Sequence, residues 1–283
     1  MIKTCIHTVI LNEPDEYLRP WLDHHCKMVD NIFIYEDIGS WSHKHLTDQY
    51  DNVTLMSVFD IYDEEWQKRK LITNREKGGI NQRFYLMDGI LKIQALNEYD
   101  FCFAIDIDEF ITLQPPYESI SDVLSGFLDR DAVMLQWLNI GCSGRIYKPN
   151  YDGKDYRQFY TEEAQQTEND KAKKITTKLA FNLRRITKWN LAGLHCCPGN
   201  WVNTNGRKDR KDICYDRMYL THYLTKSFEE YLWKVYVRGM HCRLIHRGIK
   251  DFFQINPDMM DRYDECMRFK EEYFKKNNII LNV

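Results

Sequence analysis

Apolar positions along the chain fall into short continuous runs separated by helix-spaced segments, the alternation that builds a sheet with helices on both faces. Ile2 to Leu11 is apolar and partly β-branched, which predicts a first strand. Asn12-Glu13-Pro14-Asp15 follows, with Asn12 a candidate N-cap and acids opening a helix that carries Tyr17, Leu18, Trp21 and Leu22. Pro20 lies inside that helix, where its missing N–H predicts a kink or a restart. Asn31 to Tyr35 reads as a second buried strand, ending at Glu36-Asp37-Ile38-Gly39-Ser40, and Val53 to Phe59 as a third. Helical spacing returns over 80–97 through Phe84, Leu86, Met87, Ile90, Leu91, Ile93 and Leu96. Phe101-Cys102-Phe103-Ala104-Ile105 is then an apolar run of strand length that stops at Asp106.

Past Ile111 the pattern loosens. Ala132 to Leu138, Lys178 to Ile186 and Met218 to Leu224 read as strands, with a small-residue turn at Gly141-Cys142-Ser143-Gly144. Residues 145–175 are polar and charged and predict a long mobile loop, of the kind used as a lid or binding loop. Ser227-Phe228-Glu229-Glu230 is a capping-box pattern opening a helix to about Arg238, and 258–276 predicts a charged C-terminal helix. The fold class expected is α/β, a mostly parallel, doubly wound sheet flanked by helices, with a C-terminal helical extension.

Candidate chemistry gathers where that sheet would bind ligands, beyond the carboxyl ends of its strands. Asp37 and Asp106 both fall at such ends. Asp106 and Asp108, two positions apart, would share one face of a continuing strand, and leaving the strand for a turn there would free both to approach one ion. The apolar run stops at Asp106 and resumes at Phe110-Ile111, which permits that turn. Hard oxygen donors suit Mg²⁺ or Mn²⁺ carried with a diphosphate. Acidic pairs are common on solvated turns, but one placed behind an apolar strand reads as a ligand set, because unpaired buried carboxylates are costly.

Composition narrows the partners. With 283 residues and 43% hydrophobic content the chain can bury a core without staples, and a net charge of −3 makes no case for nucleic acid. Eighteen Tyr and 7 Trp suit stacking on sugar faces and equally a large aromatic core, which is the plainer reading. The nine cysteines are odd in number and irregular, Cys196 and Cys197 being adjacent, which argues for a reducing compartment. His195-Cys196-Cys197, with Cys214, His241, Cys242 and His246, lacks the spacing of a zinc site. Met1-Ile2-Lys3-Thr4 runs directly into the first strand, and no stretch nears the roughly 18 apolar residues of a membrane span. A cytoplasmic location is expected, with a peripheral position on the inner face of a membrane as the alternative. The basic stretches Lys171, Lys173, Lys174, Lys178, Arg184, Arg185, Lys188 and Arg207, Lys208, Arg210, Lys211 read as solvated faces balanced by acids; the alternative is attraction to lipid-linked phosphates.

Four segments, in order, resemble the family 92 and family 2-like glycosyltransferases of the GT-A fold: Ile10 to Glu13, Ile32 to Ser40, Ile105 to Phe110 and Thr221 to Ser227. Asp106-Ile107-Asp108-Glu109-Phe110 and His222-Tyr223-Leu224-Thr225-Lys226-Ser227 are the most specific. Family members often show Phe-Gly-Ser-Ser-Gly where this chain has Asn139-Ile140-Gly141-Cys142-Ser143-Gly144, which leaves the acceptor side open. The resemblance implies a GT-A type, Rossmann-like single domain, 1–145 binding the nucleotide sugar and 146–283 forming the acceptor part and C-terminal helices. It implies metal-dependent, inverting hexosyl transfer from a nucleoside-diphosphate sugar, UDP-linked with galactose as one candidate, to a glycan or lipid-linked oligosaccharide. Carried over, Asn12 and Asp37 lie near base and ribose, and Gly79-Ile80-Asn81-Gln82-Arg83 places Gln82 and Arg83 along the donor. Asp106 touches ribose or metal, Asp108 ligates the metal, His222 adds a ligand and Lys226 sets a cation on the diphosphate. Asp108 and Glu109 are the catalytic candidates; for the base that deprotonates the acceptor hydroxyl, Glu109, Asp212 and Asp216 stay open. His222 reads equally as a hydrogen-bonded residue of a half-buried strand. Two rivals are a sugar nucleotidyltransferase, whose Gly-rich basic loop after the first strand is missing at Asn12-Glu13-Pro14-Asp15, and a non-catalytic glycan-binding module.

Overall fold

The structure, a computed structural model, describes residues 1–37, 40–57, 82–164, 177–187, 199–209, 212, 214–238 and 248–279. It divides into two compact units, Met1–Thr73, Ile80–Leu138 and Lys174–His222 forming the first and Asn74–Gly79, Asn139–Lys173 and Tyr223–Val283 the second.

The strands are β1 (Thr4–Ile10), β2 (Asn31–Glu36), β3 (Val53–Ser57), β4 (Phe101–Ala104), β5 (Glu109–Leu113), β6 (Ala132–Ile140), β7 (Thr177–Asn182), β8 (Trp201–Asn203) and β9 (Met218–Tyr223). Their order in the sheet is β3-β2-β1-β4-β7-β6-β9-β5, with β8 beside β6. The run β3-β2-β1-β4 is wholly parallel, whereas β7 lies antiparallel to β4 and β6, and β5 antiparallel to β9. Parallel strands are covered on both faces, which is why every residue of β1 and β4 is buried, β4 as an unbroken apolar run and β1 with Thr4, His7 and Thr8 buried among its apolar residues.

The first unit carries helices α1 (Asp15–His25), α2 (Lys44–Thr47), α3 (Gln82–Leu96) and α4 (Ile120–Leu124). Asn12 is not the cap of α1: it sits at φ 48, and extended Pro14 takes the N-cap place. Nor does Pro20 restart the helix, which runs on through it to His25 while Leu18, Trp21 and Leu22 stay fully buried. The burial of three large apolar side chains outweighs one missing backbone hydrogen bond. On the other face, Tyr85, Leu86, Ile90 and Ile93 of α3 pack against Cys5, Val9 and Phe33. His7 is buried in that layer, its ring nitrogens 3.2 Å from the carbonyls of Phe33 and Tyr85. Gly89 makes room for it, because a Cβ there would stand 2.0 Å from His7 Nε2.

The second unit contains α5 (Phe228–Leu232), α6 (Ile249–Ile255) and α7 (Tyr263–Lys276), packed around Phe228, Leu232, Phe252 and Phe274. Ser227 and Glu230 form the expected capping box at the start of α5. Glu230 is buried and accepts from the hydroxyls of Tyr151, Tyr160 and Ser227. The described part of the expected loop, up to residue 164, is therefore anchored rather than mobile, since Tyr151, Tyr156 and Tyr160 bury their rings here. Residues 165–176 lie outside the described residues. Among the described residues no helix is long and apolar enough to cross a membrane.

Alanine normally gains about 1 kcal/mol over glycine inside a helix. At Gly89 the clash with His7 reverses the sign, so Gly89→Ala should lower stability by roughly 1–3 kcal/mol. Chemical denaturation would show this as a lower midpoint at unchanged slope. An unchanged or raised midpoint would mean that His7 has room to move aside.

Candidate functional site

β4 stops at Ala104, and the chain turns before β5 begins at Glu109. Two hydrogen bonds close that turn: Glu109 N–H donates to Asp106 O at 3.1 Å, and Asp106 N–H donates to Glu109 Oε2 at 2.9 Å. The break that the apolar gap predicted is thus present, and Asp106 and Asp108 both lie in it, between β4 and β5. Their side chains are 32% and 12% exposed, while that of Glu109 is wholly buried.

The segment after the turn is fixed from α1. Trp21 Nε1–H donates to Glu109 O at 2.9 Å, and His24 Nε2 lies 2.8 Å from Ile111 O. His25 accepts from Ile111 N–H through Nε2 at 3.1 Å, so its Nδ1 must carry the proton it gives to Trp21 O at 2.9 Å. Those two contacts require the neutral Nδ1–H tautomer. On the other side β5 pairs with β9, placing Glu109 opposite His222.

Every residue of β7 is buried, including its one charged side chain, Lys178. The Lys178 ammonium lies 2.7 Å from Asp106 Oδ2, 3.5 Å from Glu109 Oε1 and 5.9 Å from the centre of the Trp137 ring. Trp137 in turn stands 4.3 Å, ring to ring, from His222, whose Nε2 is 3.6 Å from Asp108 Oδ1. Lys178 is thus not on a solvated face, as its place in the basic stretch predicted. The two carboxylates answer its charge inside the sheet. Arg184 and Arg185 do follow the expectation, pairing with Asp100 and Asp131 at 3.1 Å each, while Lys171, Lys173, Lys174 and Lys188 lie outside the described residues.

These contacts set the proton affinities. Burial works against the charge on Lys178, but Asp106 and Glu109 more than offset it and hold the ammonium above the ordinary lysine value. Burial likewise pushes Asp106 up, and the Lys178 charge and hydrogen bond overcome it, leaving the carboxyl below the usual range. For Glu109 burial prevails and the carboxyl lies well above that range, with Asp106 and Asp108 adding to the effect.

The remaining predicted residues are distributed unevenly. Asn12 and Asp37 follow β1 and β2, of which β1 pairs with β4 and β2 lies beyond β1, all three parallel, so they share the same edge of the sheet. Asn12 Oδ1 accepts from Trp41 N–H at 2.9 Å, and Asn12 N–H donates to Ser40 Oγ at 2.9 Å. Gln82 and Arg83 open α3, but their side chains lie outside what is described. Lys226 belongs to the second unit, where it is buried at φ 54 with its ammonium 5.1 Å from the Tyr156 ring. Asp212 accepts from Asn203 at 2.9 Å and pairs with Arg207 at 3.3 Å, and Asp216 accepts from Asn205 at 3.1 Å. His195, Cys196, Cys197, His241, Cys242 and His246 are outside the described residues. Lys178 and Trp137 were not singled out from sequence; the available signal was a lysine standing directly before Leu179-Ala180-Phe181.

Among the described residues no three His, Cys, Asp or Glu side chains are arranged as a protein-only metal cage. The pair Asp108 and His222 is different. Donors held at about 2.1 Å by one octahedral ion stand roughly 3–4 Å apart, and such ions usually take the rest of their shell from water and phosphate. The 3.6 Å separation of Asp108 Oδ1 and His222 Nε2 falls within that range, so the two groups have the spacing to ligate one such ion.

No family model matches the sequence, and no curated protein does. Among solved structures, the chain is similar to a protein from Desulfovibrio desulfuricans G20 assigned as a nucleotide-diphospho-sugar transferase, at 10% identity over 71% of this chain and 72% of that one, TM-score 0.35. It is also similar to a 4-diphosphocytidyl-2C-methyl-D-erythritol synthase, at 10% identity over 76% and 93%, TM-score 0.36. A synthase of the same name from Anaerococcus prevotii DSM 20548 follows at 11% identity over 65% and 71%, TM-score 0.27. Likenesses this distant carry no weight for function, which has to come from the site.

The opposite shifts of Asp106 and Glu109 predict a pH signature. An unfolded Asp titrates near 3.9 and an unfolded Glu near 4.3. Asp106 contributes stability that is complete above about pH 4 and fades as pH falls through its lowered folded value. Glu109 does the reverse: its folded pKa is raised, so stability erodes as pH climbs from about 4.3 toward that value. Glu109→Gln removes the second effect only. Thermal melts between pH 4.5 and 8 should show the variant gaining on wild type as pH rises; parallel curves across that range would contradict the assignment.

Proposed function

We propose that this chain is a transferase using a nucleoside-diphosphate sugar as donor, with a divalent cation, Mn²⁺ or Mg²⁺, binding alongside the diphosphate. The observation that carries this reading is the pairing of Asp108 with His222 at 3.6 Å, beyond the carboxyl end of a parallel strand and beside the Asp106–Lys178 ion pair. Asp108 and His222 would hold the cation, which when bound neutralises charge building on the departing nucleoside diphosphate.

The chain's own groups have separable tasks in this scheme. Lys178 keeps the Asp106 side of the turn from repelling an anionic donor. Trp137 covers the space between Lys178 and His222 and limits the access of water to both. Asn12 and Asp37, at the ends of β1 and β2, stand where the base and ribose of a nucleotide lying across the strand ends would fall. Glu109, with no exposed surface, braces the turn from beneath rather than meeting an acceptor. The motif resemblance to family 92 and family 2-like enzymes favours a UDP-linked hexose, galactose among them, moved with inversion to a glycan or lipid-linked oligosaccharide. A cytoplasmic or peripheral inner-membrane setting goes with that acceptor.

Protein incubated with Mn²⁺ and a panel of sugar nucleotides should release nucleoside diphosphate from one of them, and a chelator should stop it. Asp108→Asn should cut that release by about a hundredfold, the size of effect expected when charge stabilisation of a leaving group is lost. Wild-type rates in Asp108→Asn would overturn the reading. Pyrophosphate release from nucleoside triphosphates would instead mark a nucleotidyltransferase, and glycan binding unaffected by chelator a binding module.

A further inference from the structure

A lysine with its whole side chain inside a sheet is an unusual choice, since an apolar residue in the same place would fill the space without desolvating an ion. Lys178 lies on a strand with neighbours on both sides: β7 registers against β6 with Leu135 opposite Lys178, and against β4 as far as Phe103 opposite Ala180. Its ammonium is buried with the rest of the side chain. It stays 2.7 Å from Asp106 Oδ2 and 3.5 Å from Glu109 Oε1. Glu109 Oε1, buried at that spot, makes no hydrogen bond among the described residues. The second pair, Asp108 and His222, stands across Trp137, whose ring borders both Lys178 and His222. The three acids are thus divided, two facing a fixed cation and one facing an imidazole.

We propose that Lys178 is a positioning residue of the donor site, a built-in cation that occupies Asp106 and Glu109 so that a metal ion reaching the cluster is gripped by the protein through Asp108 and His222 alone. This rests on the nucleoside-diphosphate reading given above. Its consequence is an ordering of affinities. The protein by itself should bind a divalent cation weakly, because two of its three nearby carboxylates already face a cation. A diphosphate should bind measurably even without metal, because the fixed ammonium lowers repulsion at the strand ends.

The test measures two affinities separately, Mn²⁺ alone by loss of the free-ion EPR signal, and UDP in the presence of chelator by calorimetry. In Lys178→Met the two carboxylates lose their counter-charge, so Mn²⁺ alone should bind about tenfold tighter and UDP without metal about tenfold weaker. Opposite movement of the two affinities is something a purely structural role would not produce. Both falling together, or neither moving, would overturn the assignment. Asp106→Asn guards against a Lys178 variant that does not fold: Mn²⁺ affinity should stay within about twofold if Lys178 rather than metal holds Asp106, and a tenfold loss would overturn the proposal. A wild-type protein that binds neither UDP nor Mn²⁺–UDP sinks the donor reading itself, and this inference with it, which is distinguishable from wild-type binding that the variants shift the wrong way.

Discussion

A charge buried inside a sheet has to be answered by another, and in this protein that requirement organises everything around the end of β4. Lys178 on β7 draws Asp106 to 2.7 Å and Glu109 to 3.5 Å. With Asp106 held, the turn to β5 closes on itself through two hydrogen bonds between positions 106 and 109, one between backbone groups and one from Asp106 N–H to the Glu109 carboxylate. With β5 started at Glu109, its pairing with β9 brings His222 alongside, and Asp108 falls within 3.6 Å of the imidazole. Removing the lysine would leave buried carboxylates uncompensated, which is the costly way to break an ion pair. The site is thus a consequence of sheet pairing, not of a loop closing over a ligand.

The first half of the sheet was legible in the sequence because parallel strands bury both faces. Phe101–Ala104 leaves no polar alternation to interpret, Thr4–Ile10 is buried throughout despite its two threonines and His7, and Asp106 marks where the fourth strand has ended. The turn between Asp106 and Glu109 was legible for the same reason. Lys178 was not. It lies 72 positions from Asp106, and nothing local distinguishes a lysine opening a core strand from one on a solvated face. Only the antiparallel pairing of β7 with β4 and β6, a long-range contact, brings it under the carboxylates. The cap of α1 was misread because Asn12 offers a capping side chain; that side chain binds Trp41 N–H instead, leaving Pro14 to open the helix. Residues 145–164 read as a mobile loop because they are polar and charged, whereas Tyr151, Tyr156 and Tyr160 bury their rings and anchor them.

The second unit has its own buried carboxylate, and the contrast with the first is informative. Glu230 is surrounded by hydroxyl donors and sits below the ordinary carboxyl range, because the Lys226 charge and those hydrogen bonds outweigh the effect of burial. It is a satisfied structural group at a helix start. Glu109, by contrast, keeps a buried oxygen without a hydrogen bond among the described residues and lies well above that range. Two acids buried to a similar degree are thus in different electrostatic states, and the one under tension adjoins the residues that resemble a nucleotide-sugar site.

In the proposed site one cation joins His222 to a bound diphosphate. Pulsed EPR of Mn²⁺ with the wild-type protein and UDP addresses this directly, since couplings report only nuclei in the ion's immediate shell. A nitrogen coupling from a coordinated imidazole together with phosphorus couplings from the diphosphate, the nitrogen signal vanishing in His222→Gln, is the expected spectrum. Phosphorus couplings with no imidazole nitrogen, or a nitrogen signal that survives in His222→Gln, would contradict it.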